Sequence, residues 1–70
     1  MTAITLFETA PKTYFVAVDT TDQDKAIEIF ESCSAWLYNG IFKDIANGRE
    51  QTMFAIQNDD QEVLIEDFEL

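Results

Sequence analysis

The run Asp19-Thr20-Thr21-Asp22-Gln23-Asp24-Lys25-Ala26-Ile27-Glu28-Ile29-Phe30-Glu31-Ser32-Cys33-Ser34-Ala35-Trp36-Leu37-Tyr38 decides how the rest of the chain must fold. It opens with a helix start signal. Thr21 is suited to cap, and Asp22 and Asp24 then fall in the first turn, where the helix dipole favours anions. Ala26, Ile27, Ile29, Phe30, Cys33, Trp36 and Leu37 recur at helical spacing and merge into one broad apolar face. Asp24, Glu28, Glu31 and Ser32 lie opposite. The pattern predicts one long amphipathic helix over about residues 22–38. A lone amphipathic helix must bury its stripe against another layer, and the flanking segments read as sheet.

Upstream, Ala3-Ile4-Thr5-Leu6-Phe7 reads as a strand. Glu8-Thr9-Ala10-Pro11-Lys12 breaks it, because Pro11 has no N–H to give to a ladder. Thr13-Tyr14-Phe15-Val16-Ala17-Val18 is a second strand, rich in β-branched and aromatic residues. Its apolar residues fall on both faces, as in a central strand or one whose second face meets a partner.

Downstream, Asn39-Gly40 closes the helix. Apolar positions 41, 42, 45 and 46 suit a short second helix over 41–46, closed by Asn47-Gly48. The rival reading takes Asn39-Gly40 as a hairpin turn; the helix is preferred because neither flank alternates cleanly. Residues 50–57 form a third predicted strand, Asn58-Asp59-Asp60 a turn, and residues 61–68 a fourth strand. The predicted fold is α+β, in the order β-β-α-β-β. A four-stranded antiparallel sheet carries the long helix across one face. The other face is left partly apolar by Phe7, Phe15 or Phe54, a surface for a homodimer or a partner.

The chain has 70 residues, expected to form a single domain over 1–70. Fourteen Asp and Glu stand against four Lys and Arg, for a net charge of −10, while 47% of residues are hydrophobic and nine are aromatic. That apolar content separates it from a disordered acidic tail. A single cysteine, Cys33, excludes an intramolecular disulfide and favours a reducing, cytoplasmic setting. Met1-Thr2-Ala3-Ile4 does not read as a signal peptide, and no apolar run approaches the ~20 residues of a membrane span.

The chemistry for catalysis is thin. Histidine is absent, which removes the commonest general base and metal ligand. Cys33 lies on the apolar helix face and reads as a small buried hydrophobe. Ser32 and Ser34 have no visible activating base. No glycine-rich phosphate loop occurs. Asp59, Asp60 and Glu62, or Asp19, Asp22 and Asp24, are the carboxylate groupings nearest to a hard-cation site, but neither follows the EF-hand spacing. The expectation is a protein with no enzymatic activity, no cofactor and no metal. Direct nucleic-acid binding is disfavoured too, because Lys12, Lys25, Lys43 and Arg49 are scattered.

What the chain does have is grouped acid. Residues 59–70 contain Asp59, Asp60, Glu62, Glu66, Asp67 and Glu69 with no base. Residues 19–31 contain Asp19, Asp22, Asp24, Glu28 and Glu31 with only Lys25. On a helix, positions 24, 28 and 31 form one row with neighbours roughly 5–6 Å apart. On a strand, Glu62 and Glu66 would share one face. Such rows resemble the charge spacing of a nucleic-acid backbone, and they steer association with a basic surface. Asp24, Glu28, Glu31, Asp59, Asp60, Glu62, Glu66 and Asp67 are therefore the candidate partner-binding residues, with Tyr38 as an aromatic anchor.

In size, acidity and missing catalytic residues the whole chain resembles the small phage- or plasmid-encoded inhibitors of bacterial defence. These include anti-CRISPR and antirestriction proteins, several of them acidic DNA mimics. The resemblance implies a non-enzymatic inhibitor whose partner is the basic surface of a nucleic-acid-handling protein. The alternative reading is a small interaction module, a homodimer or an assembly subunit, whose acids serve solubility.

Overall fold

The structure is a computed structural model that describes residues 3–57 and 61–68. Four strands form one antiparallel sheet: β1 (Ile4–Ala10), β2 (Thr13–Val18), β3 (Tyr38–Ala46) and β4 (Arg49–Ile56). Their order across the sheet is β1-β2-β4-β3, so β2 and β4 are central and β1 and β3 are edges. The helix α1 (Gln23–Cys33) connects β2 to β3. A single 3-10 turn, Ile65–Phe68, follows the sheet. The architecture is the expected α+β fold in the expected β-β-α-β-β order.

The central strands form where the residues demand burial. Val16, Ala17 and Val18 of β2 and Gln51 to Phe54 of β4 are all buried. Alternation then sorts them. Val16, Val18, Phe54 and Ile56 face the helix, and Phe30 and Ala26 of α1 close over them with Val63 and Phe68. Phe30 stacks on Phe54 with ring centroids 4.6 Å apart, and Tyr38 and Phe68 ring the pair. Ala17, Met53 and Ala46 point to the opposite face, where Phe7 and Phe15 pack beside them.

Several expectations are corrected. Helix α1 ends at Cys33, not near residue 38. Its C-cap Ser34 is extended (φ −146°, ψ 144°), and the Ser34 hydroxyl accepts the Trp36 N–H at 2.9 Å. That local bond competes with the helical ladder, although Trp36 still packs on the core as a helical residue would. Asp22, rather than Thr21, is the N-cap: its carboxylate accepts the N–H of Asp24 at 3.1 Å and of Lys25 at 3.2 Å.

Residues 41–46 are strand, not a second helix. Asn47 (φ 55°) and Gly48 (φ 75°) form the two-residue turn that joins β3 to β4, with Ala46 paired to Arg49. Positive φ at both central positions is the hairpin geometry whose twist matches the flanking strands. The hairpin signal thus lies at 47–48, not at Asn39-Gly40; a bulge interrupts pairing between Tyr38 and Gly40 instead.

Residues 61–68 are not a strand. Val63 and Phe68 anchor the segment in the core, and the 3-10 turn packs against β1 and α1. The apolar Val63-Leu64-Ile65 run satisfies strand propensity, but burial of two anchors on the helix side of the sheet wins over pairing. Phe54 also moves: it is fully buried under the helix and leaves the second face to Phe7 and Phe15.

Candidate functional site

The acids are distributed by the layer that covers the sheet. α1 turns Ala26 and Phe30 inward, which puts Asp24, Glu28 and Glu31 on its exposed side. The 61–68 segment turns Val63 and Phe68 into the same cluster, leaving Glu62 and Glu66 exposed. Both acidic segments therefore lie in one layer over one face of the sheet. Glu62 and Glu66 do not share a strand face as predicted. They reach the surface from either side of the Val63 anchor. Asp59 and Asp60 lie outside the described residues.

Asp67 is committed elsewhere. One of its oxygens, Oδ2, accepts the Trp36 indole N–H at 2.9 Å and the Leu64 backbone N–H at 3.3 Å. A charged acceptor with two donors ties the C-terminal segment to the stretch that follows α1. Asp67 is part-buried and acts as a structural acceptor rather than a free surface charge. An open groove of about 620 Å³ runs beside this tie, lined by Cys33, Ser34, Trp36, Leu37, Gln57 and Glu66 among others.

Tyr38 is no exposed anchor. Its ring meets Phe30 and Phe54 edge-on at 5.4 and 4.9 Å. Asp22 is spent on the helix cap, and Asp19 pairs with Arg49 at 2.8 Å. No group of three or more potential metal ligands comes together among the described residues. Cys33 donates its thiol to the Phe30 carbonyl at 3.5 Å, and burial pushes the thiol above its ordinary range. A thiol held protonated is a poor nucleophile.

Two features escaped the sequence reading. The first is the structural role of Asp67, for which an isolated acid near an apolar run gives no signal. The second is the outer edge of β3, where Phe42 is 38% and Ile45 71% exposed, with Leu37, 67% exposed, just before the strand. The Asn47-Gly48 pair signals that edge, because it makes β3 half of a hairpin. No helix among the described residues is long and apolar enough to cross a membrane. Known protein families, characterised proteins and solved structures offer no match to this chain, so the site is read from its own residues.

Proposed function

We propose that this protein is a non-enzymatic acidic inhibitor that occupies a basic, nucleic-acid-binding surface of a partner, in the manner of anti-CRISPR and antirestriction DNA mimics. Its working compartment under this reading is the cytoplasm. The observation that carries the proposal is the shared layer: Asp24, Glu28 and Glu31 from α1 and Glu62 and Glu66 from the C-terminal segment, all exposed, on one side of the sheet. Carboxylates gathered on one side of a small body form a field that Lys- and Arg-rich surfaces meet before contact. Asp67 supports that layer by fixing the C-terminal segment in place.

The test is capture from a bacterial lysate on immobilised protein, with elution by rising salt. A retained nucleic-acid-handling protein should release steeply with salt. Replacing Glu28, Glu31 and Glu66 by Lys should weaken retention by about tenfold or more, since like charges then face the basic partner. Retention that is flat across the salt series, or indifferent to the triple charge reversal, would sink the proposal.

A further inference from the structure

We infer that β3 is a self-pairing edge, and that two copies of this chain associate antiparallel through residues 40–44 with the two-fold axis at Phe42.

The two edges of the sheet are treated differently. β1 carries an irregularity between Glu8 and Ala10, and the C-terminal 3-10 turn packs against it. No described element lies beyond β3. Antiparallel pairing settles which backbone groups of β3 are left over. Ala46 exchanges hydrogen bonds with Arg49 across the two-residue turn, so Ala46, Asp44, Phe42 and Gly40 bond inward to β4. The N–H and C=O groups of Ile41, Lys43 and Ile45 then point outward. One hydrogen bond marks that direction independently: the Ile45 N–H, which faces away from β4, is taken by the Asp44 carboxylate at 2.7 Å.

The open stretch is thus bounded at both ends. The bulge between Tyr38 and Gly40 interrupts it on one side, and the Asp44 cap on Ile45 blocks it on the other. Its midpoint is Phe42. Placing a two-fold axis there sets Phe42 opposite its counterpart and pairs Ile41 with Lys43 of the second copy, twice by symmetry. In each of those pairs both backbone bonds can be exchanged. Moving the centre one residue toward the turn sets Lys43 against Lys43, and one further sets Asp44 against Asp44. Like charges directly opposite are unfavourable, and a centre at Ile41 leaves one bonded pair inside the open stretch where Phe42 gives two, so the Phe42-centred register is selected.

The side chains agree with that register. Phe42 already meets Phe15 edge-on at 5.7 Å, and Phe15 lies opposite Phe7 in the β1·β2 pairing. Joining two copies at Phe42 makes one continuous aromatic row across the faces that no helix covers. Ile45, 71% exposed, comes opposite Asn39 of the other copy. Charge permits this here. The chain carries −10, yet residues 40–46 hold one base, Lys43, and one acid, Asp44. The acidic layer lies on the other side of the sheet. The occupant this edge fits is a second copy: residues 40–44 are net neutral in an acidic chain, and the Phe42-centred register sets no like charges opposite.

Sedimentation velocity of the full chain over a concentration series is the test. A monomer–dimer equilibrium is expected, and it should strengthen with added salt, because screening relieves repulsion between two acidic copies. Lys43→Pro deletes an outward N–H that β4 does not use, so it should keep the monomer fold and weaken dimerisation by about tenfold or more. Phe42→Glu, which sets two carboxylates face to face, is the second disrupting variant should proline unfold the strand. Register is read in a Cys33→Ser background. Phe42→Cys should cross-link under oxidised glutathione, because directly opposite residues have Cβ atoms about 4.5–5.5 Å apart. Asp44→Cys should cross-link far less. A wild-type monomer at every concentration and salt overturns the inference. So does a dimer that Lys43→Pro and Phe42→Glu leave intact, or one in which Asp44→Cys cross-links as well as Phe42→Cys.

Discussion

On one side of the sheet, α1 and the 61–68 segment cover Val16, Val18, Phe54 and Ile56 and present carboxylates to solvent. On the other, Phe7, Phe15 and Phe42 lie around Ala17 and Met53 with no helix above them. The difference shows how a 70-residue chain divides its resources. A chain this short has apolar residues enough for one well-filled layer. The second layer is thin, made of aromatic side chains leaning on one another. Acid concentrates where the covering elements already shield the core, and the thin side stays nearly free of it.

The largest expected contrast between the sides is in stability. Phe30 is fully buried and touches three other rings, so Phe30→Ala should cost about 3–5 kcal/mol, enough to unfold much of the population. Phe42→Ala on the thin side should cost only about 1 kcal/mol in the monomer. Urea titration at low protein concentration checks both. Equal losses would mean that the thin side is a full second core.

Next in size is the tie that holds the acidic layer together. Asp67→Ala removes the acceptor for Trp36 and Leu64, and about 1–3 kcal/mol should be lost. Trp36 fluorescence should shift to the red as the indole loses its partner. Glu66→Ala, one residue away but exposed, should stay within about 0.5 kcal/mol. If the two substitutions behave alike, Asp67 is only another surface acid.

The smallest effect concerns Cys33, at the boundary between α1 and the groove. Its folded thiol is raised by burial, so its contribution is fully present below the ordinary thiol range and is lost as pH rises through the folded value. Alkylation of Cys33 at neutral pH should be slower than that of a free thiol and should accelerate as the solution becomes alkaline. Stability should fall slightly more steeply with alkaline pH in the wild type than in Cys33→Ala. A fast-reacting thiol at neutral pH would contradict the burial.

Legibility followed the range of the forces involved. The second strand, the start of the helix and β4 were readable because β-branched runs and an acidic first turn act locally. Residues 41–46 were not, because apolar pairs at 41–42 and 45–46 fit a helix and a strand equally well; the Asn47-Gly48 turn decided between them. The helix end turned on the Ser34 hydroxyl competing for backbone bonds. Residues 61–68 had strand propensity, but burying Val63 and Phe68 in the helix-side cluster takes them off the sheet. Of the candidate site, Asp24, Glu28, Glu31, Glu62 and Glu66 were legible as surface acids by pattern alone. That they share a layer depends on where Val63 and Phe68 are buried, a long-range fact that no local spacing carries.

The central claim is that the acidic layer stands in for nucleic acid, and competition tests it most directly. A partner captured at low salt is challenged with increasing concentrations of a short DNA duplex. The account expects release that follows duplex concentration and reaches completion, because both ligands need the same basic surface. Full retention at saturating duplex would contradict it.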